Sequence, residues 1–256
     1  MRFKDKVAII TGGGSGMGLA ASRLFSREGA TVAIVDINGG NAEKAAAEVK
    51  DAGGKAIAIQ ADVADKDAAR NAVKDVVSHF GRVDILLNNA GIATIKPAEE
   101  YTDWEKIIGV DLNAPFYWSQ AVALQSMIPN KRGAIVNVAS LAAMVAYPGD
   151  VGYIAAKAGV LGLTRALAVE WAKHNIRVNC LCPGFTDTQI IKDMEKIDPN
   201  RYNERRKRIP MGRSARAEEM ADAMAYLASD QASYVTGSVL NVDGGQIALS
   251  SGWSPA

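Results

Sequence analysis

The stretch Lys6–Gly18, KVAIITGGGSGMG, sets the architecture. Its first half is a short run of valine, alanine and isoleucine, the composition of a buried strand. Its second half carries five glycines, which no regular element tolerates. The following LAASRLFSREG, Leu19–Gly29, has apolar residues at helical spacing and ends on a glycine stop. Strand, glycine turn and helix in direct succession predict backbone N–H groups and a positive helix end facing an anion such as a phosphate.

Outward from this unit the same alternation repeats. TVAIVD, KAIAIQAD, VDILLNNAG, GAIVNVAS, IRVNCLC and SVLNVDGG read as further strands. NAEKAAAEVKDAGG, KDAARNAVKDVVSHFG and AEEMADAMAYLAS read as helices between them, and Thr102–Met127 reads as one long helix with a kink at Pro115. Buried strands separated by helices imply a parallel sheet covered on both faces, and right-handed crossovers make it doubly wound. The expectation is an α/β fold of about seven strands. No linker or repeat divides the chain, so residues 1–256 read as a single domain.

Composition excludes several classes. Apolar residues make up 48% and charged residues 22% of 256, ordinary globular usage. The net charge of +1 gives no field to recruit nucleic acid or an acidic membrane. Val7–Ile10 is too short for a signal core, and no segment is expected to approach the roughly 20 apolar residues of a membrane span. A cytoplasmic protein is expected. Cys180 and Cys182 alternate along a strand and read as buried free thiols; with only two histidines in the chain, no metal site is expected.

The glycine turn excludes its rivals. A triphosphate loop needs Lys-Ser/Thr after the last glycine, where Leu19 and Ala20 stand. A hydrolase elbow needs a glycine two after Ser15, where Met17 stands. The pattern present is Thr-Gly-x-x-x-Gly-x-Gly, with Gly12, Gly16 and Gly18. Asp36 ends the second strand, 18 positions after Gly18, near the spacing at which a carboxylate accepts from the adenosine ribose of a dinucleotide. A carboxylate there repels a 2′-phosphate, and Ser15 and Ile37 bring no compensating cation, so NAD is expected over NADP. In VGYIAAKAG, Val151–Gly159, Tyr153 and Lys157 lie one helical turn apart on one face. Alone, the pair reads as a surface contact.

Together, TGGGSGMG, NNAG (Asn88–Gly91), Ser140, YIAAK and Pro183-Gly184 resemble, in order and spacing, the short-chain dehydrogenases/reductases, over about Lys6–Gly245. The resemblance implies a Rossmann-like, homo-oligomeric (dimeric or tetrameric) NAD(P)-dependent oxidoreductase acting on a small molecule. It implies cofactor contacts from Gly12, Ser15, Gly16, Met17, Gly18, Asp36 and Ile37. It further implies Asp62 and Val63 near the adenine, Asn89, Ala90 and Gly91 beneath the cofactor, and Pro183, Gly184, Thr186 and Thr188 beside the nicotinamide. Tyr153 then becomes the acid/base, its phenol pulled toward working pH by the Lys157 cation. Lys157 would also hold the nicotinamide ribose, and Ser140 would donate to the substrate oxygen. The family usually places asparagine where Asp111 stands, holding a water next to the lysine; Asp111 is expected to act through such a water or else to face solvent.

Residues 185–213 fall where the family keeps a substrate lid. They carry a net charge of +3, read either as a solvated face or as a call for an anionic substrate, the solvated face being the simpler. Leu141, Tyr147 and Phe185 are expected in the substrate wall. The expected reaction joins a secondary alcohol (polyol, cyclic diol or sugar-like) to its ketone. A 3-oxoacyl carrier-type reductase and a non-enzymatic NAD-sensing protein are the alternatives; the sensor has no use for Ser140, Tyr153 and Lys157 together.

Overall fold

The structure is a computed structural model and describes residues 1–197 and 199–249. Asp198 of the charged segment lies outside the described residues, as do the side chains of Asp193 and Arg201. Strands β1 (Val7–Thr11), β2 (Thr31–Asp36), β3 (Lys55–Gln60), β4 (Ile85–Asn88), β5 (Gly133–Val138), β6 (Ile176–Pro183) and β7 (Val239–Val242) form one sheet. Its order is β3-β2-β1-β4-β5-β6-β7, and every pairing is parallel. The order reverses between β1 and β4, so a crevice opens at their carboxyl ends, where open α/β sheets take ligands.

Alternation along β1 sends Ala8 and Ile10 into one core and Val7 and Ile9 into the other. The first core is closed by α1 (Gly16–Arg27), α2 (Gly39–Asp51) and α9 (Ala217–Ala228). The second is closed by α3 (Lys66–Phe80), α5 (Ala114–Val122) and α6 (Val151–Trp171). Asp65 caps α3 by accepting from Asp67 and Ala68, and Gly81, at φ 78°, ends it. Both cysteines are buried and free.

The helix expected over 102–127 is neither regular nor that early. α4 (Trp104–Ile108) passes through a π-helical turn, Gly109–Asn113, into α5, and a second π-turn spans Ala123–Met127. Pro115 has no N–H to return to the carbonyl of Asp111, so the α pattern breaks there and a wider turn takes over. That turn carries Asp111 inward.

Between β6 and α9 the charged segment folds as α7 (Gln189–Ile197) and α8 (Pro199–Lys207). The expectation that no segment is long and apolar enough to cross a membrane is corrected. One helix, Val151–His174, passes by length and composition. It is built into the fold: Ala156, Lys157, Val160, Leu161, Thr164, Leu167 and Ala168 are buried within it, and its opposite face, with Ala155, Ala158, Gly162, Ala166 and Val169, is exposed.

Candidate active site

The loops after β1 and β4 are tied together across the crevice. The Thr11 hydroxyl donates to the Leu87 carbonyl (3.2 Å) and accepts from the backbone N–H of Asn89 (3.0 Å) and Ala90 (3.2 Å). Asn89 Nδ2 donates back to the carbonyls of Thr11 (3.0 Å) and Gly12 (3.3 Å). Gly12 and Gly16 have φ +61° and +51°, the left-handed region that favours glycine, and a Cβ on Gly18 would lie 2.0 Å from the Gly12 carbonyl oxygen. Beneath them, Asn88 Nδ2 donates to the Ser119 hydroxyl and Asn137 Oδ1, and Asn137 donates to Thr164, so the polar floor of the crevice is satisfied.

A cavity of about 220 Å³ opens above this floor. Gly12, Ser15, Gly16, Met17, Asn89, Ala90, Gly91, Ser140, Tyr153, Lys157, Pro183, Gly184, Thr186 and Thr188 line it. Ile92, Ala93, Val138, Ala139, Gln189 and Ile191 also line it; sequence reasoning missed these six, because no motif marks the apolar loop after NNAG, the end of β5 or the start of α7. Gly18 lies beneath the loop rather than on the wall, buried under Gly12. The chemistry of this cradle fits a dinucleotide. It offers a glycine turn at a helix N-terminus, and Asn89 Oδ1 is buried without a partner among the described residues.

Asp36, Ile37, Asp62 and Val63 lie outside the cavity, at the carboxyl ends of β2 and β3. Asp36 Oδ2 accepts from Gly14 N–H (3.1 Å) and Oδ1 from Asn38 N–H (3.0 Å). Each oxygen keeps a lone pair for a ribose hydroxyl. Ile37 is 67% exposed and no cation stands beside it in sequence. Asp62 is exposed and accepts from Ala64 N–H, while Val63 is buried and its carbonyl accepts from the Trp118 indole.

Lys157 is 3% exposed, an ammonium almost wholly withdrawn from water. It donates to the Val138 carbonyl (3.1 Å) and pairs with Asp111 Oδ1 at 2.9 Å. Asp111 is fully buried, so neither expectation for it holds: it does not face solvent, and it meets Lys157 directly rather than through water. Its other oxygen accepts from Ile92 N–H (3.2 Å). A Cβ on Gly91 would come within 2.7 Å of Asp111 Oδ1 and 3.3 Å of Lys157 Nζ, so the glycine of NNAG makes room for this ion pair. Val138 takes one of the three ammonium donors and Asp111 balances the charge, so donor capacity remains for an incoming group.

Lys157 Nζ lies 5.5 Å from the centre of the Tyr153 ring. Burial pushes the Tyr153 phenol above its ordinary value; Lys157 and a hydrogen bond with Ser140 pull it down, and Asp111 pushes it up. Burial lowers Lys157, but Asp111 and Tyr153 outweigh it and the ammonium is held above its usual range. Burial raises Asp111, against the pull of Lys157. The arrangement can stabilise a developing phenolate and return its proton.

The three residues expected in the substrate wall all lie apart from this cavity. Leu141 is buried at 7% exposure beside Ser140 and is not among the residues lining the cavity. Tyr147 and Phe185 stand outside the cavity as well, stacked against Arg205 of α8, because the helix segment after β6 folds over them.

Comparison with known proteins agrees with this geometry. The sequence profile of a family described as enoyl-(acyl carrier protein) reductase matches residues 12–246. The chain is 41% identical over 251 residues to the 3-oxoacyl-[acyl-carrier-protein] reductase FabG of Thermotoga maritima, covering 96% of this chain and all of that one. It is 41% identical to a cyclohexanol dehydrogenase of an Acinetobacter species, covering 95% of each. The crystal structure of levodione reductase superposes with a TM-score of 0.91 at 35% identity, over 97% of this chain and 100% of that one. The fold, the glycine turn and the Tyr-x-x-x-Lys helix thus come with relatives along the whole length, and the chain belongs to the short-chain dehydrogenase/reductase family of NAD(P)-linked oxidoreductases.

Proposed function

We propose that the protein is an NAD-dependent dehydrogenase/ketone reductase that interconverts a secondary alcohol (polyol, cyclic diol or sugar-like) and its ketone, with Tyr153 as the acid/base. The observation that carries this reading is the buried Lys157 ammonium beside a half-buried phenol that also bonds Ser140. When bound, the nicotinamide supplies the hydride acceptor or donor. The chain's own residues do the rest. Gly12, Ser15, Gly16 and Met17 hold the cofactor phosphates, with Gly18 packed beneath them to let the loop close, Asp36 holds the adenosine ribose, and Asp62 and Val63 flank the adenine. Asn89, Ala90 and Gly91 support the cofactor from below, while Pro183, Gly184, Thr186 and Thr188 orient the nicotinamide end. Ser140 donates to the substrate oxygen, Tyr153 takes the hydroxyl proton, and the remaining Lys157 donor meets the nicotinamide ribose. Asp111 positions Lys157.

A 3-oxoacyl carrier-type reductase uses the same site chemistry, and a relative of that name is 41% identical. Asp36 and Ile37 favour the NAD-linked alcohol reading, because NADP needs a cation where they stand. The protein should bind NADH at least tenfold more tightly than NADPH, about 1.4 kcal/mol. Asp36→Ala with Ile37→Arg should narrow or reverse that ratio in fluorescence titration; tighter NADPH binding by the wild type would refute the assignment.

Tyr153→Phe removes one oxygen and keeps the ring, so NADH should still bind while alcohol oxidation falls about 10²-fold or more. Lys157→Met should weaken both cofactor binding and turnover. Full oxidation by Tyr153→Phe, followed at 340 nm, would sink the mechanism.

Asp111 raises Tyr153 directly, but it also holds Lys157 charged, and the pull of Lys157 on Tyr153 is the larger of the two effects. In Asp111→Asn the buried ammonium loses its counter-charge, burial drives Lys157 toward the neutral amine, and the alkaline rise of kcat/KM for oxidation should move to higher pH. A profile that stays put or moves to lower pH would contradict this.

Besides the exposed face of α6, Phe116 of α5 and Leu124 of the following π-turn are exposed, Leu124 at 64%. An apolar helix face of this kind fits helix pairing between copies of the chain. Light scattering at micromolar concentration should give a dimer or tetramer; a monomer would refute the pairing.

A further inference from the structure

The lid cations separate into two groups. Arg206 forms a bidentate pair with Glu195, Lys207 pairs with Glu204 at 2.7 Å, and Arg213 pairs with Glu219 at 2.7 Å. Arg205 is held differently. Its guanidinium carbon lies 4.5 Å from the Tyr147 ring centre, 5.5 Å from Phe185 and 5.8 Å from Tyr202. Phe185 and Tyr202 are 5% and 1% exposed and pack with Ile209 into a small core of their own. Among the described residues no carboxylate lies within 4.0 Å of Arg205.

Aromatic rings satisfy the faces of a guanidinium but leave its edge, where the N–H donors point. Arg205 donates a hydrogen bond to the Tyr147 hydroxyl, and burial holds that phenol well above its ordinary value, so Tyr147 stays neutral and is no counter-charge. A cation half-enclosed by apolar rings gains most from an anion that arrives with a matching two-oxygen edge. Tyr147 lies in the connection between Ser140 and the Tyr153 helix, and Phe185 directly follows Pro183 and Gly184 of the cavity wall, so the rings that hold this cation belong to the segments that carry the acid/base and its serine.

We propose that Arg205 is a specificity-determining residue that receives a carboxylate on the far end of the substrate, so that the preferred alcohols are hydroxy acids and the preferred ketones oxo acids. The proposal rests on the carbinol chemistry assigned to Tyr153 and names its substrate class. It overturns the simpler reading of the lid charge as a solvated face at this one position, and keeps that reading for Lys207.

The test uses the protein–NADH complex and nicotinamide fluorescence. Butanoate, cyclohexanecarboxylate and benzoate are titrated beside their carboxamides, which keep the shape and lose the charge. At least one carboxylate should bind tenfold or more tightly than its amide. Arg205→Met should erase that ratio, and Arg205→Lys should restore part of it, while both variants keep wild-type NADH affinity within about twofold as a check on folding. Equal binding of acid and amide across the series, or a ratio unchanged in Arg205→Met, overturns the proposal. The readout needs no turnover. Carboxylate selectivity without any alcohol oxidation would refute the reaction and leave Arg205 standing; oxidation of neutral alcohols without carboxylate selectivity would do the reverse.

Discussion

A lysine ammonium at 3% exposure is the constraint around which this molecule is arranged. Withdrawing such a charge from water costs several kcal/mol unless the protein replaces the lost hydration. The replacement comes from three separate parts of the chain. The end of β5 gives the Val138 carbonyl, the π-turn before α5 gives the Asp111 carboxylate, and α6 carries the lysine itself. The glycine after β4 stays small so that the pair fits beneath it. A regular helix over 104–122 would turn Asp111 off this line, so the π-turn is part of the site rather than an irregularity beside it.

The same economy governs the cofactor side. Thr11 and Asn89 link two loops that lie 78 positions apart in sequence, and by doing so they fix the gap between the glycine turn and the Lys157 helix. The carboxyl ends of β1, β4, β5 and β6 each deliver one piece: the glycine turn, NNAG, Ser140 and Pro183-Gly184. A parallel sheet with its order reversing between β1 and β4 brings these pieces together at one end of the strands. α7 and α8 extend from the end of β6.

Much of this was legible in the sequence. The strand count and the doubly wound arrangement follow from apolar runs and glycines at fixed offsets, which are local signals, and the cavity-lining positions that were named came from the resemblance of the motifs to those of the family. What was not legible depended on helix phase or on distant packing. Asp111 could not be placed, because its orientation is set by a π-turn that Pro115 provokes, and a helix drawn at 3.6 residues per turn gives the wrong face. Leu141 looked like a pocket wall because it follows Ser140, but the chain turns there and buries it. Arg205 was one of eight cations in a charged segment; Arg206 beside it also reaches Phe185 but pairs with Glu195, and only tertiary contact with Tyr147 and Tyr202 separates the two. The apolar content of Val151–His174 was underrated because small residues dilute it, although these let it lie close to the sheet.

The central claim is that Lys157 stays charged in the interior because Asp111 and Val138 hold it there, and that this charge sets the behaviour of Tyr153. Its most direct test is the ionisation of Lys157 itself. In protein labelled with ¹³C and ¹⁵N on lysine, the Lys157 Cε and Nζ resonances, assigned by their loss in Lys157→Met, are followed against pH. The account predicts an ammonium that persists above the value of about 10.4 at which an exposed lysine loses its proton. A neutral Lys157 amine at pH 8 would contradict it.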